Sequence, residues 1–240
     1  MTIHSPDVEL VLLPGLDGSD ALFRPFVTTT SRTATALALP KEMGRYAELV
    51  PTMRERLPRD RSYVLLGWSF SGPLTLMLAA DRPPGLVGLV LCATFVRRPV
   101  TFIPPALRFA AQPGLFRFLT VASRGKALVA GYSTPELDAL MQEALNSAPS
   151  RSLATRAQET LTVDVREQLA ACPVPILDLR ASRDLVVPRS RGRDVLALRP
   201  DAMTRVIRGP HLALATNPGD ANAAIEDFIA SLEREGLDHD

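Results

Sequence analysis

Residues 63–80, Tyr63-Val64-Leu65-Leu66-Gly67-Trp68-Ser69-Phe70-Ser71-Gly72-Pro73-Leu74-Thr75-Leu76-Met77-Leu78-Ala79-Ala80, decide how the chain is read. The apolar run at 63–66 predicts a buried strand and the stretch from 72 onward predicts a helix, with a serine on the tight turn between them. A serine hydroxyl is a weak nucleophile at neutral pH. Held on such a turn, near a base and at a helix N-terminus, it faces the conditions that activate it. The spacing departs in one place from the usual Gly-x-Ser-x-Gly: Ser71 holds the last glycine position and Gly72 follows. An ordinary strand-to-helix turn carries the same local signature, so a base and an acid have to be sought elsewhere in the chain.

The base follows from a short census. The chain has 3 histidines: His4 ahead of the first strand, His239 in a charged tail, and His211 in Arg208-Gly209-Pro210-His211-Leu212. Only His211 directly follows a strand-like run, Thr204-Arg205-Val206-Ile207, and it comes after the serine in the chain. For the acid the best-placed residue is Asp184, in the loop after the strand-like Pro175-Ile176-Leu177-Asp178-Leu179. Its task is to accept a hydrogen bond from one ring nitrogen of His211 and so fix the tautomer. Asp178 is the alternative, although it lies within the predicted strand and not past its end.

A fourth segment, Leu13-Pro14-Gly15-Leu16-Asp17-Gly18-Ser19, follows the strand-like Val8-Glu9-Leu10-Val11-Leu12 and has the glycines of a loop that comes close to a bound molecule. Together, the serine turn, this loop, Asp184-Leu185-Val186-Val187-Pro188 and Gly209-Pro210-His211 resemble the α/β-hydrolase superfamily over most of the chain. The family usually has His-Gly where this chain has Pro14-Gly15. The resemblance implies a Ser69–His211–Asp184 triad, main-chain oxyanion donors at Leu16 and Phe70, an acyl-enzyme intermediate, and no metal or organic cofactor. Within the superfamily, Trp68-Ser69 and Val163-Asp164-Val165-Arg166 resemble the carboxylesterases that hydrolyse pimeloyl-carrier-protein methyl ester in biotin synthesis. The expected enzyme is therefore a serine carboxylesterase acting on a small ester or a carrier-protein-bound acyl chain. A thioesterase, a lactonase, a carbon–carbon bond hydrolase and a cofactor-free perhydrolase use the same scaffold, and a non-catalytic small-molecule receptor could keep it too.

Composition bounds these readings. At 240 residues, 46% apolar and 22% charged, the chain suits one compact domain with a sizeable core, and a net charge of +1 gives no global attraction to nucleic acid. The N-terminal residues lack a basic segment followed by an apolar run, and apolar runs elsewhere are too short for a bilayer. A cytoplasmic protein with no stable membrane anchor is expected. Cys92 and Cys172 have no metal-ligand spacing and read as buried free thiols.

Strands are expected near 8–13, 33–39, 62–66, 86–91, 174–179 and 203–207, with helices near 44–56, 72–81, 189–197 and 218–234. This alternation of short apolar strands with helices implies an α/β-hydrolase fold with about six mostly parallel strands, helices on both faces, and no opening antiparallel hairpin. Residues 1–96 and 171–240 form the expected core. Residues 97–170, broken at Pro104-Pro105, Pro113-Gly114, Pro135 and Pro149, form an expected helical cap. The first part of this insertion carries Arg97, Arg98, Arg108, Arg117, Arg124 and Lys126 without an acidic residue, interleaved with Phe102, Phe109, Phe116 and Phe118. The basic residues read as a docking face for an acidic partner or anionic substrate, as a solvated helix face, or as a loose attachment to a membrane surface. Trp68, Phe102, Phe109 and Phe116 are the residues expected to meet the substrate's acyl group.

Overall fold

The computed structural model describes residues 8–99 and 128–237. Its strands are β1 (Glu9–Leu13), β2 (Ala34–Ala36), β3 (Tyr63–Trp68), β4 (Leu86–Cys92), β5 (Ile176–Ala181) and β6 (Met203–Ile207). They form one six-stranded sheet in the order β2-β1-β3-β4-β5-β6, and every adjacent pair is parallel. The expected strand near 33–39 shortens to Ala34–Ala36 at the sheet edge.

The central strands are buried throughout because the sheet is covered on both faces. Alternate residues serve opposite cores: Leu10, Leu12, Val64, Leu66 and Val90 belong to one, Val11, Leu13, Leu65, Leu89 and Leu91 to the other. The first core is closed by α1 (Arg24–Val27), α8 (Ala213–Thr216) and α9 (Pro218–Leu237), which contribute Phe26, Leu214, Ile225 and Phe228. The second is closed by α2 (Tyr46–Arg56), α3 (Ser71–Ala80) and α7 (Ser190–Leu198), through Leu49, Met53, Leu74, Leu78 and Val195.

The described part of the insertion includes α4 (Pro135–Asn146), α5 (Ser150–Glu159) and α6 (Arg166–Ala170). Helix α4 starts at Thr134, whose side chain accepts from the Leu137 N–H at 3.2 Å, with Pro135 in the first turn. Residues 163–169 tuck under the sheet, and Val163, Val165 and Leu169 join the second core. Val165 N–H donates to the Val96 carbonyl at 2.8 Å and Arg98 N–H to the Val163 carbonyl at 3.0 Å, so a short antiparallel clasp joins the chain where the insertion leaves and returns.

This topology positions the site. The chain runs from β1 outward to β2, then crosses back to place β3 on the other side of β1, so the loops after β1 and β3 diverge at a switch point. A crevice at the C-terminal ends of the strands is the general consequence.

Candidate active site

Ser69 follows the last residue of β3 and has φ of 53°, in the left-handed region that non-glycine residues rarely adopt. Its neighbours hold that conformation. The Ser69 N–H donates to the Cys92 carbonyl at 2.9 Å, its carbonyl accepts from Gly72 N–H at 3.1 Å, and the Thr94 hydroxyl donates to the same carbonyl. Space is the other constraint: a Cβ on Gly67 would lie 2.5 Å from the Ser71 carbonyl oxygen, and one on Gly72 would lie 2.0 Å from the Thr94 hydroxyl. The two glycines that flank the turn are thus required by close approach. Ser71 fits where a glycine is usual because its buried hydroxyl points away and donates to the Pro14 carbonyl, tying the turn to the loop after β1. Helix α3, starting at Ser71, directs its N-terminal N–H groups toward Ser69.

His211 and Asp184 reach Ser69 from the ends of β6 and β5. His211 Nε2 lies 2.9 Å from Ser69 Oγ, and Nδ1 lies 2.8 Å from Asp184 Oδ2. The other Asp184 oxygen accepts from the Val186 and Val187 N–H groups, both at 2.8 Å, so the carboxylate is fixed by its own loop. Both side chains are almost wholly buried, 4% and 6% exposed, which strengthens this chain of hydrogen bonds relative to water. Asp178 does not compete. It stays within β5, paired with Arg180, and burial pushes its carboxyl above the ordinary range.

Leu16 and Phe70 stand on the two sides of the switch point, in the loop after β1 and directly after Ser69. Neither main-chain N–H has an acceptor among the described residues. Phe70 is held from behind: Tyr46 stacks on its ring with centroids 4.7 Å apart, and the Tyr46 hydroxyl donates to its carbonyl at 2.7 Å.

Trp68, expected to meet substrate, is 2% exposed. Its ring packs tilted against Phe23, and its indole N–H donates to the His211 carbonyl at 3.3 Å, so its visible contact is with the histidine's own main chain. Phe102, Phe109 and Phe116, with Phe118, Arg108, Arg117, Arg124 and Lys126, lie outside the described residues, as do His4 and His239. The run of uncompensated basic residues needs correction at one position: Arg97 makes a two-pronged ion pair with Asp194 of α7, at 3.0 and 2.7 Å. That partner lies 97 residues away in sequence, beyond any local charge count. Thr94, Tyr46 and Arg156 also bear on the site, and none has a local sequence signal, since each acts through a main-chain carbonyl distant in sequence.

Cys92 ends β4 beneath Ser69. Burial, with Asp184 and Asp178 nearby, pushes its thiol far above the ordinary range, and burial raises Cys172 as well. Both thiols are therefore protonated and shielded, and a thiol reagent should modify neither in the native protein at pH 8 and both after unfolding. Rapid native modification of Cys92, read by mass spectrometry, would contradict this packing. Among the described residues, no group of three or more His, Cys, Asp or Glu side chains is placed to hold a metal, and no helix is long and apolar enough to cross a membrane.

No known protein-family model matches the chain. In sequence it is similar to the biotin biosynthesis bifunctional protein BioHC of Cellvibrio japonicus, 26% identical over 243 residues covering 94% of this chain, and the chain spans 42% of that relative's length. In structure it is similar to a bromoperoxidase from Bacillus anthracis, with a TM-score of 0.77, 15% identity, and coverage of 95% of this chain and 93% of that one. It is also similar to a thermophilic esterase from Thermogutta terrifontis, with a TM-score of 0.77, 18% identity, and coverage of 94% and 90%. The chain has the α/β-hydrolase fold.

Proposed function

We propose that the protein is a serine hydrolase that cleaves carboxylic esters through an acyl-enzyme formed on Ser69. The observation that carries this is the unbroken hydrogen-bond chain from Ser69 Oγ through His211 to Asp184, with a strained serine at a helix N-terminus. In the first step His211 Nε2 takes the Ser69 proton as Oγ attacks the ester carbonyl. The oxyanion is received by the Leu16 and Phe70 N–H groups, and His211 then protonates the departing alcohol. Water, deprotonated by the same imidazole, releases the acid and restores Ser69. Asp184 keeps Nδ1 protonated and stabilises the imidazolium.

For the substrate, we favour a methyl ester at the free end of an acyl chain that a carrier protein holds as a thioester, with pimeloyl-carrier-protein methyl ester as its first instance. Two observations support it: the similar protein from Cellvibrio japonicus is named for biotin biosynthesis, and residues 97–126 are basic. Residues 97–170, with the aromatic residues Phe102, Phe109 and Phe116, are the segment we assign to acyl recognition.

Two assays test these levels separately. A fluorophosphonate probe should label wild type at Ser69, located by peptide mass spectrometry, and p-nitrophenyl esters of rising acyl length should show an optimum. A folded protein that neither labels nor turns over any ester would overturn the hydrolase reading. Ester turnover without hydrolysis of pimeloyl-carrier-protein methyl ester would overturn the narrower substrate alone.

A further inference from the structure

We infer that Arg156, on helix α5 of the insertion, is a positioning residue for the oxyanion loop. This inference rests on the serine-hydrolase reading above. Arg156 is completely buried, and its guanidinium is spent on main-chain carbonyls. Nη1 donates to Leu16 at 3.1 Å and to Asp17 at 2.9 Å, Nη2 donates to Pro40 at 2.9 Å, and Nε donates to Met43 at 3.1 Å. Two of these acceptors sit on the loop that carries the Leu16 N–H, and two sit on the segment after β2 that lies beside it.

The geometry of that loop explains the requirement. Gly18 N–H donates to the Gly15 carbonyl at 3.0 Å, closing a tight turn. In a trans peptide the carbonyl and the following N–H point in opposite directions, so turning the Gly15 carbonyl inward aims the Leu16 N–H outward. The next two carbonyls, of Leu16 and Asp17, are those that Arg156 holds. The turn is thereby pinned on both sides of the donor. Gly18, with φ of 78°, leaves the necessary room: a Cβ there would lie 2.2 Å from Arg156 Nη1.

A buried cation is costly unless it is fully hydrogen-bonded, and the planar fork of arginine is the side chain suited to several carbonyls at once. Asp17, half-buried and bonded to the Ser19 N–H and hydroxyl at 2.9 and 3.0 Å, supplies opposite charge nearby. Burial pulls the guanidinium down to about 10, still far above neutral pH, so it remains charged. Purely architectural tethering would not need a charge at this point: α5 already buries Leu153, Ala154 and Ala157. The inserted segment thus reaches past the rim of the site and sets the aim of one oxyanion donor.

The test compares wild type with Arg156→Lys and Arg156→Ala, each scored per Ser69 titrated by a fluorophosphonate and only if it melts cooperatively. Complete loss of an oxyanion donor costs about 10²–10³ in rate, so a misaimed donor should lower kcat by about 10- to 100-fold. KM should stay within about twofold, because ground-state binding makes little use of the oxyanion site. Inhibition by an arylboronate, which forms a tetrahedral adduct on the serine, should weaken by the same factor as kcat. Millimolar guanidinium ion should restore part of kcat in Arg156→Ala, and ammonium at equal ionic strength should not. Should Arg156→Ala fail to fold, Arg156→Lys, which keeps the charge but lacks the fork that spans the four carbonyls, carries the comparison.

A folded variant with unchanged kcat overturns the inference, and so does a lower kcat with unchanged boronate affinity and no rescue. Wild type that neither labels nor turns over would instead sink the hydrolase reading, and this inference with it.

Discussion

Replacing Ser69 with alanine lowers kcat/KM for p-nitrophenyl esters by about 10⁴–10⁶-fold, and His211→Ala does so by a similar factor. The expected size follows from the 2.9 Å contact between His211 Nε2 and Ser69 Oγ, the only route among the described residues for the hydroxyl proton to reach an imidazole. Because the two groups act as one unit, the double variant should be no slower than either single one. A small residue of catalysis should survive in all three, since main-chain N–H groups can still polarise a bound ester attacked by water. Steady-state kinetics on purified variants, with melting curves to establish folding, check this. Retention by Ser69→Ala of more than about a tenth of wild-type activity would point to another nucleophile, given that an intact triad contributes orders of magnitude.

Asp184→Asn should cost about 10⁴ in kcat at neutral pH while leaving the fold nearly untouched. The two oxygens of Asp184 have separate duties. One accepts from the Val186 and Val187 N–H groups, and an asparagine carbonyl can keep both bonds. The other faces His211 Nδ1 at 2.8 Å, where an asparagine NH₂ would present a donor to a donor. The imidazole then gains by carrying its proton on Nε2, and in that tautomer it cannot accept the proton of Ser69. Asp184→Ala loses the loop bonds as well and should melt lower than Asp184→Asn. Equal kcat for Asp184→Asn and wild type would remove Asp184 from the mechanism.

The fold was legible because buried parallel strands are nearly continuous apolar runs, as in Val64–Leu66 and Leu89–Leu91, and because glycine and proline punctuate the turns between them. Legibility failed at the sheet edge, where β2 pairs on one side alone and ends at Ala36. At the site, scarcity made His211 conspicuous, and the end of β5 at Ala181 separates Asp184 from Asp178. The sequence was silent about Arg156 and about the Thr94 and Tyr46 hydroxyls. Each contacts a carbonyl, a group every residue possesses, so no side-chain pattern announces the partner. Adjacency to the serine is what singled out Trp68 in the sequence; its packing on Phe23 follows from strand alternation, which no local pattern states.

The clasp between Val96–Arg98 and Val163–Val165 has a historical consequence. A segment that departs and rejoins at one point can lengthen, shorten or be exchanged at little entropic cost, about 0.6 kcal/mol for each doubling of a flexible loop. With acyl recognition assigned to this segment as proposed above, substrate preference can then drift in a lineage as a separately inherited trait, while the chemistry beneath stays put. The freedom ends at residue 156: a newly acquired segment in this position inherits the duty of delivering a cation to the loop after β1.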